Sequence, residues 1–198
     1  MNVRVKICGI TNLEDALLAV DAGADALGFV FYEKSPRYIA PKEAARIVEQ
    51  LPPFVERVGL FVNQTQRVIE SVCEQSGMSL AQLHFDVDER FVDGLSIKAL
   101  PVVRARSAQD LTKFQDRYRL VDAYVQEFGG AGKRVALEWF DGMDCSRIVL
   151  AGGLTPSNVA EVKRYGFYGV DVSSGVEAAK GKKDPKKVRD FIQRAKFE

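Results

Sequence analysis

Short, nearly continuous apolar runs alternate with longer stretches of helical periodicity along the whole chain. The runs predict eight strands, at residues 3–8, 26–31, 56–62, 81–84, 96–100, 120–125, 147–151 and 169–172. Runs with little polar alternation suit parallel strands covered on both faces. Between them lie amphipathic stretches with recognisable starts and stops. Asn12 opens the first, with Ala16, Leu17 and Val20 on one face and Gly23 after it. Pro41, Pro156 and Pro185 stand where the first turn of a helix accepts proline, the second of them before Val159, Val162 and Tyr165, with Gly166 as the stop. The segment 86–94 is the poorest helix of the series.

Eight strands alternating with about eight helices fit either a doubly wound open sheet or a closed barrel. The even spacing, with no composition break, linker or low-complexity segment, favours a single (β/α)₈ TIM barrel over residues 1–198. A chain of 198 residues is at the short end for that fold, so its loops must be short. Composition adds exclusions. Twenty-eight basic against 27 acidic residues leave a net charge of +1, so no nucleic-acid or membrane partner is expected. The basic stretch 180–187 reads as a solvated loop and helix start. No run is long enough for a membrane span and no cleavable leader is evident, so a cytoplasmic location is expected. Three separated cysteines with His84 as the one histidine make neither a disulfide framework nor a zinc site.

In barrels of this kind, chemistry sits at the C-terminal ends of the strands. The last two strands lead into Gly152-Gly153 and Ser173-Ser174-Gly175. Glycine turns that lead toward helix starts let backbone N–H groups approach an anion, which makes these loops candidates for phosphate binding. The loop containing Gly129, Gly130 and Gly132 superficially resembles a nucleotide P-loop, but Arg134 follows Lys133 where Ser or Thr is required; a lid over the site is the better reading. Position alone makes Cys8 a small buried hydrophobe, Arg37 a solvated arginine and His84 either a structural residue or a ligand. Asp122 is different, because an aspartate in an apolar strand needs a partner or a task.

Taken together, Lys6-Ile7-Cys8-Gly9-Ile10-Thr11, Ser35-Pro36-Arg37-Tyr38, Gln82-Leu83-His84, Leu120-Val121-Asp122, Ala151-Gly152-Gly153-Leu154 and Asp171-Val172-Ser173-Ser174-Gly175-Val176-Glu177 resemble the phosphoribosylanthranilate isomerase family of tryptophan biosynthesis, in the same order over essentially the whole chain. The resemblance implies an Amadori rearrangement of a sugar phosphate without metal or cofactor. It implies Asp122 as general acid and Cys8 as general base, Arg37 on the anthranilate carboxylate, and Lys6 and His84 at the substrate. The loops of Gly152, Gly153, Ser173, Ser174 and Gly175 would hold the phosphate. Such chemistry needs the acid's pKa raised and the base's lowered, the first by burial and the second by Lys6 or nearby helix starts.

Phe85 and Asp86 depart from the family pattern after His84, and the run from Lys133 to Trp139 is about two residues longer than usual. A remodelled fourth loop and an altered lid are therefore expected. A ribulose-phosphate epimerase would want metal-binding histidines, and an indole-forming synthase a catalytic lysine with paired glutamates. A non-catalytic phosphate-binding barrel would have no need of an acid–base pair. The chain is expected to be a monomer or a small homodimer; Leu51-Pro52-Pro53-Phe54-Val55 reads as a helix-to-strand turn, with an interface as the alternative.

Overall fold

A computed structural model describes residues 3–123 and 135–198. Eight parallel strands close into a barrel in sequence order: β1 (Arg4–Cys8), β2 (Ala26–Val30), β3 (Glu56–Phe61), β4 (Leu80–Leu83), β5 (Ala99–Ala105), β6 (Arg119–Ala123), β7 (Ile148–Leu150) and β8 (Gly169–Val172). β8 pairs with β1 in parallel, which removes every free sheet edge from the barrel.

Five α-helices lie among the described residues: α1 (Leu13–Asp21), α2 (Pro41–Val48), α3 (Gln66–Ser76), α4 (Glu89–Asp93) and α5 (Pro185–Phe197). Their starts follow from the sequence. Asn12, Thr65, Asp88 and Asp184 each accept a hydrogen bond from the backbone N–H three residues on, satisfying a donor that the first turn leaves open. α3 stops at Gly77, whose left-handed φ of 70° a side chain would disfavour.

Two expectations need correction. The fifth strand begins at Ala99, not at residue 96, and runs through Pro101 to Ala105. Ser96 is held elsewhere: its N–H and hydroxyl both donate to Glu70 on α3, at 2.7 Å. The segments after β5 and β7 are 3₁₀ turns, Ala108–Thr112 and Val159–Tyr165, and not α-helices. Val159, Val162 and Tyr165 recur every third residue, which keeps them on one face of a helix with three residues per turn.

Strand alternation sorts the core into two parts. Val5, Ile7, Leu27, Phe29, Val121 and Val170 face outward into the main apolar core, where helices cover the sheet. Leu100, Val102, Leu120, Val149 and Ala151 form a smaller apolar cluster. After β8 the chain makes a short 3₁₀ turn (Ser174–Val176) and a hairpin of β9 (Glu177–Ala179) and β10 (Lys182–Lys183) before entering α5. No helix among the described residues is long and apolar enough to cross a membrane.

Candidate active site at the C-terminal ends of the strands

The alternation that turns Val5 and Ile7 outward turns Lys6 and Cys8 to the opposite face of β1. Cys8, Arg37, His84, Asp122, Asp171 and Ser173 border one pocket at the C-terminal ends of the strands, so the fold gathers residues from five places in the sequence. Lys6 sits beneath this pocket. Its ammonium donates to Asp171 Oδ1 at 2.8 Å, with both side chains almost wholly buried, and lies against the Cys8 thiol. Gly28 makes room for that contact. A Cβ at Gly28 would come within 2.8 Å of Cys8 Sγ and 2.9 Å of Lys6 Nζ.

Burial dominates the electrostatics. It raises the Asp122 carboxyl to about 7, helped by the Asp171 carboxylate and opposed by the Ala123 N–H, Arg104 and Lys6. His84 Nε2 is 4.0 Å from Asp122 Oδ2. Burial, with Arg104 and Lys6, brings His84 down to about 4, so the imidazole is neutral at neutral pH and the pair is not a salt bridge. Cys8 departs from the sequence-based expectation. Burial pushes its thiol up, and the lowering influence of Lys6 and Lys183 only offsets this in part, because Asp171 also opposes ionisation.

Arg37 is not a solvated arginine. Its Nε and Nη2 donate to the two carboxylate oxygens of Glu177, each at 2.7 Å, and its stem lies over Gly9, where a Cβ would be 2.6 Å from Arg37 Cδ. A bidentate pair of this kind fixes the plane of the guanidinium. The expectation for the basic stretch 180–187 also needs correction, because the Lys183 side chain is fully buried. Sequence reading gave no role to Asp171, Glu177 or Lys183. The argument applied to Asp122, a carboxylate in an apolar strand, applies equally to Asp171 and could have found it.

Gly152 and Gly153 both take left-handed φ, 85° and 62°. Asn158 braces their loop, donating to the Gly153 carbonyl at 3.0 Å and accepting from the Thr155 N–H at 2.9 Å. Any Cβ on Gly175 would collide with the Leu154 carbonyl, so this glycine lets the β7 and β8 loops lie directly against each other. The Ser173 hydroxyl and Gln82 Oε1 are buried without a hydrogen-bond partner among the described residues, and both border the pocket. Gly129, Gly130 and Gly132, expected in a lid, lie outside the described residues. Among the described residues no cluster of His, Cys, Asp and Glu is placed to hold a metal ion.

Fold and site together define a (β/α)₈ barrel with a buried carboxyl raised to about 7 and a thiol bordering one pocket at the C-terminal ends of its strands, where barrel enzymes carry their chemistry. The family model for N-(5′-phosphoribosyl)anthranilate isomerase matches residues 5–194. The N-(5′-phosphoribosyl)anthranilate isomerase of Nitratiruptor sp. is 74% identical over 99% of this chain and 100% of its own. A phosphoribosylanthranilate isomerase solved in complex with reduced 1-(o-carboxyphenylamino)-1-deoxyribulose 5-phosphate superposes with a TM-score of 0.85 at 41% identity, covering 98% of each chain. The monomers of the dimeric phosphoribosylanthranilate isomerase from Thermotoga maritima superpose with a TM-score of 0.84 at 40% identity, again over 98% of each chain. The chain belongs to the N-(5′-phosphoribosyl)anthranilate isomerase family.

Proposed function

We propose that this chain carries out the Amadori rearrangement of N-(5′-phosphoribosyl)anthranilate to 1-(2-carboxyphenylamino)-1-deoxyribulose 5-phosphate in tryptophan biosynthesis, in the cytoplasm, with Asp122 as acid and Cys8 as base. The observation that carries the reading is the Asp122 carboxyl, raised to about 7 and bordering the same pocket as the Cys8 thiol. A carboxylic acid near neutrality still holds a proton to give at working pH. Asp122 protonates the ring oxygen of the ribose and the furanose opens to a Schiff base. Cys8 takes the C2 proton, and the resulting enolamine tautomerises to the ketone. Arg37, held in plane by Glu177, receives the anthranilate carboxylate. The braced Gly152-Gly153 turn and the Ser173-Ser174-Gly175 turn receive the phosphate through their backbone N–H groups. Following the fluorescence of phosphoribosylanthranilate tests this directly. Cys8→Ala and Asp122→Asn are each expected to lose turnover by orders of magnitude with circular dichroism unchanged. Near-normal turnover in either variant would remove that residue from its role.

A second reading concerns assembly. The larger cavity, of about 700 Å³, lies at the opposite end of the barrel, where Tyr118 and Tyr168 stack edge-on at 4.6 Å. Phe54 stands fully exposed beside it, at a left-handed φ of 71° that holds the ring off the surface. An exposed phenylalanine next to an apolar-walled cavity suits reciprocal insertion between two copies, and a relative is described as dimeric. We infer a homodimer through this end. Sedimentation is expected to show a dimer for the wild type and a monomer for Phe54→Asp; a monomeric wild type at micromolar concentration would reject it.

A further inference from the structure

Lys183 is the least accessible charged side chain around the site, with none of its side chain exposed. Burying an ammonium costs far more than burying a methylene chain, so packing alone does not account for a lysine here. Its contacts are specific. Nζ donates to the Cys8 carbonyl at 2.6 Å, to Glu177 Oε1 at 3.1 Å and to the Ser173 carbonyl at 3.5 Å. Its own backbone N–H donates to Asp15 Oδ2 at 2.9 Å, which anchors β10 to α1.

The charges do not cancel. Arg37 and Lys183 share the single carboxylate of Glu177, so that trio carries one positive charge in excess. Lys6 on β1 is matched by Asp171 on β8. Across the pocket, Asp122 on β6 is neutral below about 7, and His84, following β4, is neutral above about 4. The buried Asp15 carboxylate accepts from the Lys183 backbone N–H and faces the half-exposed Lys182 at 3.7 Å, and Arg104 on β5 acts on Asp122 and His84 from across the pocket; the ammonium that holds the Cys8 carbonyl is that of Lys183. The Cys8 thiol belongs to the residue whose carbonyl Lys183 holds, and the Lys183 charge favours its ionisation.

We propose that Lys183 is a positioning residue for Cys8: its ammonium pins the end of β1 through the Cys8 carbonyl and, with Lys6, supplies positive charge that favours the Cys8 thiolate. The inference rests on Cys8 being the base proposed above. The coupling runs both ways: burial draws the Lys183 ammonium down, while Glu177 and a Cys8 thiolate draw it up. The hairpin after β8 is thereby tied to the chemistry, although it lies 175 residues along the chain from Cys8.

The test reads the Cys8 thiol directly and not turnover. The rate of alkylation by iodoacetamide is measured against pH, with peptide mass mapping to separate Cys8 from Cys73 and Cys145. Lys183→Met is expected to raise the pKa of Cys8 alkylation by about one unit or more, and Glu177→Gln to lower it, because the two changes alter the local charge in opposite senses. Lys183→Arg is expected to stay near the wild type. A loosened site would move the first two variants in the same direction, and that result, or no shift in Lys183→Met, overturns the proposal. Should Lys183→Met fail to fold, Lys183→Gln takes its place: a rise in the Cys8 value supports the proposal and no rise overturns it. Normal turnover in Cys8→Ala would sink the assignment of the base and leave these thiol shifts as they are, so the two failures are distinguishable.

Discussion

The Lys6 ammonium and the Asp171 carboxylate meet at 2.8 Å inside the barrel, on directly paired positions of β1 and β8. The pair bridges the two strands that close the barrel and acts electrostatically on both Cys8 and Asp122. Lys6 favours ionisation of Cys8, and Asp171 opposes ionisation of Cys8 and of Asp122.

Breaking that pair from one side should be worse than removing it. Asp171→Asn leaves a buried, uncompensated ammonium and is expected to cost about 3–5 kcal/mol in denaturant unfolding. The double variant Lys6→Met/Asp171→Leu should recover most of that loss while remaining inactive. A double variant no more stable than Asp171→Asn would mean that the pair stabilises the barrel outright.

The pH dependence of kcat/KM should show reversed protonation. The acid titrates at about 7, below the base, whose pKa burial raises. In the proposed mechanism the active form needs Asp122 protonated and Cys8 ionised. Below about 7 the thiolate fraction falls tenfold per pH unit. Above it, loss of protonated Asp122 and gain of thiolate cancel, giving a plateau until Cys8 itself titrates. Residual activity in Asp122→Asn should instead rise with pH through the neutral range, with no break near 7.

The same carboxyl should weaken the fold as pH rises. Its folded-state pKa of about 7 lies above the ordinary aspartate value of 3.8, so the native state holds the proton more tightly than the unfolded chain. This contribution is fully present below about pH 4 and is lost as pH climbs toward 7. Asp122→Asn does not titrate. Its stability relative to the wild type is expected to improve by roughly 2–3 kcal/mol between pH 5 and pH 8, read from urea midpoints at the two pH values.

Gly28 should tolerate no side chain. The Cβ of Gly28→Ala would press on Cys8 Sγ and Lys6 Nζ together, at 2.8 and 2.9 Å. If Cys8 is the base as proposed, a displaced thiol loses its alignment with the C2 proton, and kcat is expected to fall on the order of 100-fold with little change in KM. A variant with wild-type kcat would show that the thiol has slack.

Much of this was legible in the residues. Apolar runs located the strands to within a residue or two in most cases, and Asn12, Gly166 and Pro185 marked element ends through their own side chains and backbone preferences. The every-third spacing of Val159, Val162 and Tyr165 was present for the 3₁₀ turn and differs from the 3.6-residue period of an α-helix. Lys183 was not legible. Lys180, Lys182, Lys183, Lys186 and Lys187 look alike in sequence, and only the closed hairpin and its contact with β1 single out the one that is buried.

The sequence by itself determined the alternation of strands and helices, the glycines that the loops require and the family to which its motifs point. These are properties of a residue and its near neighbours along the chain. Only the tertiary structure decided the ionisation of the site. It set Asp122 near 7, kept His84 neutral, raised Cys8, paired Lys6 with Asp171, and brought Arg37 and Lys183 to the one carboxylate of Glu177. A pKa depends on burial and on charges a few ångströms away in space, and those charges come from opposite ends of the chain.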